Sequence, residues 1–330
     1  MPRLGILLAA AMFVFVIDTS FMNVSISAVV EDLDTTVSGV QSAVAIEALV
    51  SAAFILISSK LGDLFGRKRA YVTGLVFYAI GALSMVFAQS LWPVIIFWAV
   101  LGGLGASLYL PAMQSLIHGN FSGKTRAKVF ALVGAAGAIA AAIVPLVGGF
   151  LTTAVSWRAG FVLEVLIIAG VLAGTGLIRD VPYTGDRSVD LVGALLSVLG
   201  MGGLVVGVLV WQEGGELVAT LLAIGASAMA ALVFWLRRRK RLGKAALLDP
   251  GLFKSRPFSV GVVQLFLQQV ALGGMLIALP IYLQLVWGYT AFEAGVTLAP
   301  LSLTMFAVAL AAGRRAGRRR PSLILSLIHI

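Results

Sequence analysis

The sequence predicts an all-α polytopic membrane protein, and three observations carry that reading. Hydrophobic residues make up 60% of the 330 residues and charged residues only 12%, against roughly 45–50% and 25% in soluble domains. The apolar residues gather into ten runs, each long enough to cross a hydrocarbon core at about 20 residues per helix. When those runs are threaded back and forth, 23 of the 24 lysines and arginines fall on one side. The runs are too long for strands and lack the alternation of a barrel.

The runs follow in order, each bounded by charge or a turn. The first, 4–30, starts after Arg3 and stops at the acidic turn EDLD, 31–34. At about 27 residues it is too long for the apolar core of a cleaved signal peptide. The second, 39–59, closes on Lys60 and a basic loop ending in Arg67, Lys68 and Arg69. Runs at 70–89 and 91–117 follow, then 127–153 beyond Lys124, Arg126 and Lys128. The sixth, 158–178, lies between Arg158 and Arg179. The seventh and eighth, 190–211 and 215–236, meet at QEGGE, 212–216, and the eighth ends on RRRKR, 237–241. The last two, 258–286 and 291–312, lead to the bases from Arg314 to Arg320. Lysine and arginine concentrate on the cytoplasmic side, so the N-terminus is placed in the cytoplasm and the chain in the cytoplasmic (inner) membrane. Only Arg158 then lies outside, beside external turns that are acidic or neutral. The run RRRKR reads as the anchor of a helix end and not as a ligand site.

Several functions are excluded. The net charge of +10 is spread over short clusters between apolar runs, so no basic domain exists to hold nucleic acid. There are no cysteines, and the two histidines, His118 and His329, are too few for a zinc or haem site. No Ser/His/Asp set, HExxH or Walker A motif is present, which argues against an enzyme or an ATP-driven pump. The expected partners are membrane lipids and a small-molecule substrate, with no cofactor beyond the proton motive force. The oligomeric state is not legible.

Three of the fourteen acids lie inside apolar runs: Asp18, Glu47 and Glu164. A carboxylate at the membrane centre costs about 2.5–3.5 kcal/mol on insertion scales, so such residues usually face a cavity. At 1.5 Å per residue, Glu47 and Glu164 lie roughly 9–12 Å from the outer surface and Asp18 about 14 Å. The three therefore share one layer and are candidates to bind a proton or a cation. Desolvation disfavours a charged carboxylate that lacks a positive partner, so Asp18 is expected to exchange protons near neutral pH. The alternative is a neutral aspartic acid hydrogen-bonded to a neighbouring helix through Asn23 or Ser20.

Other stretches are informative. GAAGAIAAAIVPLVGG, 134–149, has almost no side-chain bulk, so its backbone can approach another helix closely. Pro145 removes a backbone donor and favours a kink. Such a surface suits a sliding interface, though static bundles use small residues too. Gln264 and Gln268 stand four apart on one face and either line a polar path or bridge helices. Trp92, Trp157, Trp211 and Trp287 fall near predicted outer ends, as an interfacial belt requires. SSKLGDLFGRKR, 58–69, matches LAAGRRAGRRR, 310–320: Gly66–Arg69 aligns with Gly317–Arg320, and Gly62 with Gly313. As an internal repeat, this starts a second half at the ninth run, with the seventh and eighth inserted.

Five stretches carry a resemblance to the major facilitator superfamily, and within it to the fourteen-helix drug/proton antiporter group. KLGDLFGRKR, 60–69, is similar to the superfamily's loop signature, with Ser59 in place of its first glycine. IDTSFMNVS, 17–25, resembles the group's first-helix motif. GGLGAS, 102–107, with LPA, 110–112, is similar to the fourth-helix motif, except that Ala99 stands where a buried arginine is usual and Gly102 where a glutamine is. IVPLVGGF, 143–150, resembles the fifth-helix antiporter motif around Pro145, Gly148 and Gly149, with Val144 replacing a glycine. LLDPGLFKSRPF, 247–258, looks like the loop leading into the second half. The resemblance covers residues 4 to about 321.

That resemblance implies the superfamily fold, with ten of fourteen expected helices. It implies a six-helix half over 1–180, an inserted hairpin with its linkers over 181–257, and the first two helices of a second half over 258–324. The last six residues, LSLIHI, are those encoded by the mosaic end of a sequencing transposon, so 325–330 reads as an adapter tail on a C-terminally truncated chain; an ordinary apolar tail is the alternative. By resemblance, Gly62, Asp63, Gly66, Arg67 and Lys68 latch the two halves on the cytoplasmic side, with Asp63 meeting a helix N-terminus. Asp18 and Asn23 belong to a central cavity to which Gln264 and Gln268 add polar groups. The function so implied is proton-coupled efflux of small amphipathic or cationic compounds. Replacement of the motif arginine by Ala99 keeps open an uncoupled transporter or importer, and a scaffold or sensor without transport is a further alternative.

Overall fold

In the computed structural model, residues 2–181, 190–211, 215–244 and 246–315 are described. Ten helices account for nearly all of them: α1 Pro2–Asp32, α2 Val37–Phe65, α3 Arg67–Phe87, α4 Leu91–Asn120, α5 Gly123–Ala154, α6 Arg158–Leu177, α7 Leu191–Leu209, α8 Gly215–Arg241, α9 Arg256–Leu285 and α10 Ala291–Arg315. No strand occurs among the described residues. Helices α1 to α9 are each long and apolar enough to cross a membrane, while the apolar stretch of α10 is the shorter Phe292–Leu301. The expected second copy of the repeat, Gly317–Arg320, and the expected adapter tail, 325–330, lie outside the described residues.

The helices outlast the apolar runs at their charged ends. The second run was expected to stop at residue 59, yet α2 continues to Phe65; α8 continues through RRRKR to Arg241. Lysine and arginine are good helix formers, so a basic residue moves the chain out of the hydrocarbon without ending the helix. What ends α2 is Gly66, whose φ of 105° lies where L side chains are strained; α3 starts at the next residue. Within α4, Val94–Gly102 is a π-helical stretch, a form common at functional sites.

Helix α1 is the spine of the core. It packs along α5 and α6 and touches α2 and α9; α3 packs on α4 and α6, and α2 on α4. Helices α7 and α8 form a pair that leans on α2 through α7, and α10 lies along α5. One large apolar core joins α1 to α6, and a small satellite of Leu283, Ala294 and Leu298 forms where α9 passes into α10. Glycine sets the closest crossing. A methyl on Gly74 of α3 would come within 2.7 Å of the Gly105 carbonyl oxygen of α4, and one on Gly105 within 2.6 Å of the Gly74 oxygen. Helix α9 is little covered on any side, and Val263, Leu265, Phe266, Leu267 and Val270 are all exposed.

On the side opposite the basic loops, α1, α3 and α6 are tied together. Arg158 pairs with Asp32 at 2.6 Å and its guanidinium donates to the Ala88 carbonyl at 2.5 Å. The Trp157 indole lies 4.5 Å from the Arg158 guanidinium and donates to Asp32 at 3.2 Å. This corrects the tryptophan belt. Trp92, Trp211 and Trp287 are exposed, but Trp157 is buried, because the charged pair draws it into the bundle.

Candidate functional site

Asp18 sits more than halfway along α1, on the side turned toward α3, α4 and α6, and is 1% exposed. Its Oδ2 accepts a hydrogen bond from the Tyr78 hydroxyl of α3 at 2.6 Å. Its Oδ1 accepts one from the Trp98 indole, in the π-helical stretch of α4, at 2.8 Å. Glu164 of α6, also 1% exposed, is near enough for its charge to act on Asp18. Glu47 of α2 is 5% exposed and near enough for its charge to act on Asp18. The structure thus gathers the three acids predicted from separate helices. No lysine or arginine pairs with any of them among the described residues.

The immediate partners of Asp18 differ from those expected. Neither Asn23 nor Ser20 reaches it; Tyr78 and Trp98 do. Nor does Asp18 open to a cavity: protein encloses it on all sides. The reason is geometric. Asn23 is five residues further on, about 140° of rotation from the face that carries Asp18. It is buried, with its Oδ1 unpartnered. The interior around the acids is short of hydrogen bonds, since Glu47 Oε1, Glu164 Oε1 and the hydroxyls of Tyr71 and Tyr109 are also buried without partners. Tyr109 stacks edge-on against both Tyr78 and Tyr71, at 5.4 and 6.4 Å between centroids. A line of phenols therefore runs along the inner face of α3 away from Asp18.

Ala99 and Gly102 are explained by packing. Ala99 is fully buried, and Gly102 lies against Gly81 of α3, where a methyl on Gly81 would stand 3.2 Å from the Gly102 α-carbon. The neighbouring Trp98 supplies a neutral donor to Asp18 in place of a cation.

The loop signature is built differently from the expectation. Asp63 does not meet a helix N-terminus. Its Oδ1 accepts from Arg67, with both guanidinium contacts at 3.0 Å, one turn away. The carboxylate at the N-terminus of α3 belongs to Asp180, beyond the end of α6, whose Oδ1 accepts from the Lys68 amide at 3.0 Å. Asp63 is held back because it is already paired with Arg67, the first residue of α3, across the break at Gly66. Gly62 approaches Ala70 closely, and a methyl on Gly66 would fall 2.7 Å from Asp180 Oδ2. The loop is thereby clasped to the end of α6.

Pro145 and Gly148 lie on faces of α5 that meet neighbours. A methyl on Gly295 of α10 would collide with the Pro145 carbonyl, and one on Gly148 would come 2.9 Å from the Phe21 ring of α1. Gly149 is buried in the same turn. Gln264 and Gln268 are half-buried on one face of α9. The glutamine that bridges helices is Gln284, near the end of α9: it accepts from Ser27 of α1 at 2.9 Å and donates to the Val24 carbonyl at 3.5 Å.

Two buried polar centres were not anticipated. Tyr78 and Trp98 carried a signal, being polar-tipped aromatics in the middle of apolar runs. Asp190 is the other. It caps α7 through the Gly193 amide at 2.9 Å, accepts from the Trp235 indole of α8 at 2.8 Å, and faces Arg239 at 3.6 Å. Nearby, Lys240 binds Asp249 at 2.5 Å. The Lys240 ammonium and the Gly251 amide hold the Asp249 carboxyl below its ordinary range.

A ten-helix apolar bundle with buried acids on several helices defines a multi-pass membrane protein of transporter architecture. The chain belongs to the Major Facilitator Superfamily, whose sequence model matches residues 8–330. It is 28% identical over 298 residues to the methylenomycin A resistance protein of Bacillus subtilis, covering 90% of this chain and 63% of that protein. It is 28% identical over 305 residues to the multidrug export protein EmrB of Escherichia coli, covering 90% and 58%. The chain therefore spans somewhat under two thirds of these relatives, which are consistent with a drug/proton antiporter group. Solved structures share the fold: the proton:xylose symporter XylE at TM-score 0.59 and 13% identity, covering 96% of this chain and 69% of that one, and the human organic anion transporter MFSD10 at 0.60 and 13%, covering 99% and 81%.

Proposed function

We propose that the protein exports small amphipathic or cationic compounds across the cytoplasmic membrane in exchange for protons, with its N-terminus in the cytoplasm. The observation that carries this reading is the burial of Asp18 and Glu164, each 1% exposed, inside the bundle with no lysine or arginine paired to either among the described residues. Two carboxyls so placed cannot both hold a charge at low cost, so the pair is suited to bind and release a proton. Glu47 extends the group toward α2. On this reading residues 1–180 form the half that carries the protonatable centre, α7 and α8 are an inserted hairpin, and α9 opens the second half. The relatives named as drug-resistance and multidrug export proteins support the direction and the substrate class.

Efflux of ethidium from energised cells expressing the full chain tests the proposal. Asp18→Asn is expected to lose the component of efflux that follows the pH gradient, by at least roughly tenfold, the ratio that 1.4 kcal/mol represents. Unchanged efflux with unchanged pH dependence would sink it.

A second reading rests on Ala99, which leaves Asp18 with neutral donors only. It is a transporter of the same fold without proton coupling, or an importer. Flux indifferent to a protonophore in the unsubstituted protein would favour it.

A further inference from the structure

We infer that the basic concavity between the end of α8 and the turn leading into α9 binds the phosphodiester headgroup of an anionic membrane phospholipid. Arg237, Lys240 and Arg241 are spaced i, i+3, i+4 and share one face of α8. Opposite them the chain makes a short 3₁₀ turn, Pro250–Lys254. Together these residues form a half-open hollow of about 570 Å³ lined by Arg237, Lys240, Arg241, Pro250, Gly251, Phe253 and Lys254. That volume is ample for a headgroup.

The charge in this cavity is unbalanced. Lys240 is committed to Asp249 at the rim, and Arg239 turns away toward Asp190. Arg237, Arg241 and Lys254 have no ion pair among the described residues. Like charges gathered into one hollow repel one another, and an anion between them relieves that repulsion. The gathering is built in: Asp190 accepts from the Leu247 amide at 3.4 Å, and the Lys240–Asp249 pair holds the start of the 3₁₀ turn against α8.

The apolar flank selects the kind of anion. Phe253 packs edge-on against Phe258 at the start of α9, 5.3 Å between centroids at 86°. Leu252, Phe253 and Phe258 all remain exposed, and so does Phe234 on α8. These residues stand where two spanning helices leave the hydrocarbon, at the depth of headgroups and the first acyl carbons. Cations beside exposed aromatics match a charged amphiphile, whereas a free phosphate ion has no use for the aromatics. The run RRRKR thus does more than anchor a helix end.

The purified full chain in neutral detergent is titrated with dioleoylphosphatidylglycerol, dioleoylphosphatidylcholine or inorganic phosphate, reading lipid retention by native mass spectrometry and thermal unfolding. Phosphatidylglycerol is expected to be retained and to raise the unfolding temperature, with the other two inert. R237Q/R241Q/K254Q should weaken the phosphatidylglycerol response roughly 100-fold, from the loss of three basic contacts. R237K/R241K should keep most of it, and K124Q/K128Q, two bases in another loop, should keep all of it. If the triple variant fails to fold, the unsubstituted protein still decides, because 0.5 M NaCl must weaken its phosphatidylglycerol response. The inference is overturned by a triple variant that responds normally, by a K124Q/K128Q variant that loses as much, by phosphate acting as well as the lipid, or by insensitivity to salt.

Discussion

At the residue scale, Asp18 shows how a polar group is kept inside an apolar bundle. Two neutral donors from α3 and α4 satisfy its oxygens, and a second acid, Glu164, is buried nearby. Removing one donor leaves a buried acceptor short of a partner, which costs about 1–3 kcal/mol. Tyr78→Phe and Trp98→Phe are therefore each expected to lower thermal stability by that amount, while Asp18→Asn, which keeps the shape, lowers it less; unfolding in detergent reads the difference. The acids were legible in the sequence because a charge in a long apolar run has no bland explanation. Their donors were not, since Tyr78 and Trp98 lie 60 and 80 residues from Asp18 along the chain and only packing brings them near.

At the element scale, small residues divide into those that carry a crossing and those that do not. Gly105→Ala places a methyl against the Gly74 carbonyl and forces α3 and α4 apart, a strain of about 1–3 kcal/mol. Gly134→Ala on α5 meets nothing within 4 Å, so its stability should change by less than about 0.5 kcal/mol. Comparing the two in one unfolding assay checks this; equal losses would show that the crossing is not glycine-limited. The α8–α9 linker makes a pH prediction. Asp249 is held below its ordinary value of 3.8 by Lys240 and the Gly251 amide. The stabilisation it contributes is fully present above that value and is lost as pH falls through the lower folded-state value. The protection of the Gly251 amide against exchange, taken relative to its intrinsic rate at each pH, should accordingly fall in acid, and Asp249→Asn should remove that dependence. The smooth surface of the fifth run was readable from composition, but a glycine in contact and a glycine in open space look the same in a sequence.

At the scale of the whole molecule, α9 and α10 meet the first six helices along two seams. Helix α10 lies along α5 where Gly295 passes the Pro145 carbonyl, and α9 meets α1 where Gln284 bonds Ser27. If transport proceeds by rocking across these seams, tethering them arrests it. The sequence has no cysteine, so a Ser27→Cys/Gln284→Cys double variant can be bridged by a short bis-maleimide without background. Ethidium efflux is expected to stop on bridging and to be normal for either single variant similarly treated. Continued efflux from a fully bridged protein would rule out motion at that seam. The face away from the basic loops is held by the Arg158–Asp32 pair and by the bond from Arg158 to Ala88, and the basic-loop face by Asp180 at the start of α3.

The sequence by itself determined that this chain crosses a membrane many times as helices, where those helices lie to within a few residues, and which acids sit among apolar neighbours. These follow from local chemistry: run length against bilayer thickness, and charge against hydrocarbon. Only the tertiary structure decided that Asp18 is bound by Tyr78 and Trp98 and enclosed, that Asp180 and not Asp63 meets the start of α3, that Gln284 is the bridging glutamine, and that RRRKR faces a turn across a hollow. Each of those depends on which faces of distant helices meet. That is fixed by side-chain packing across the bundle, and hydropathy along the chain holds no record of it.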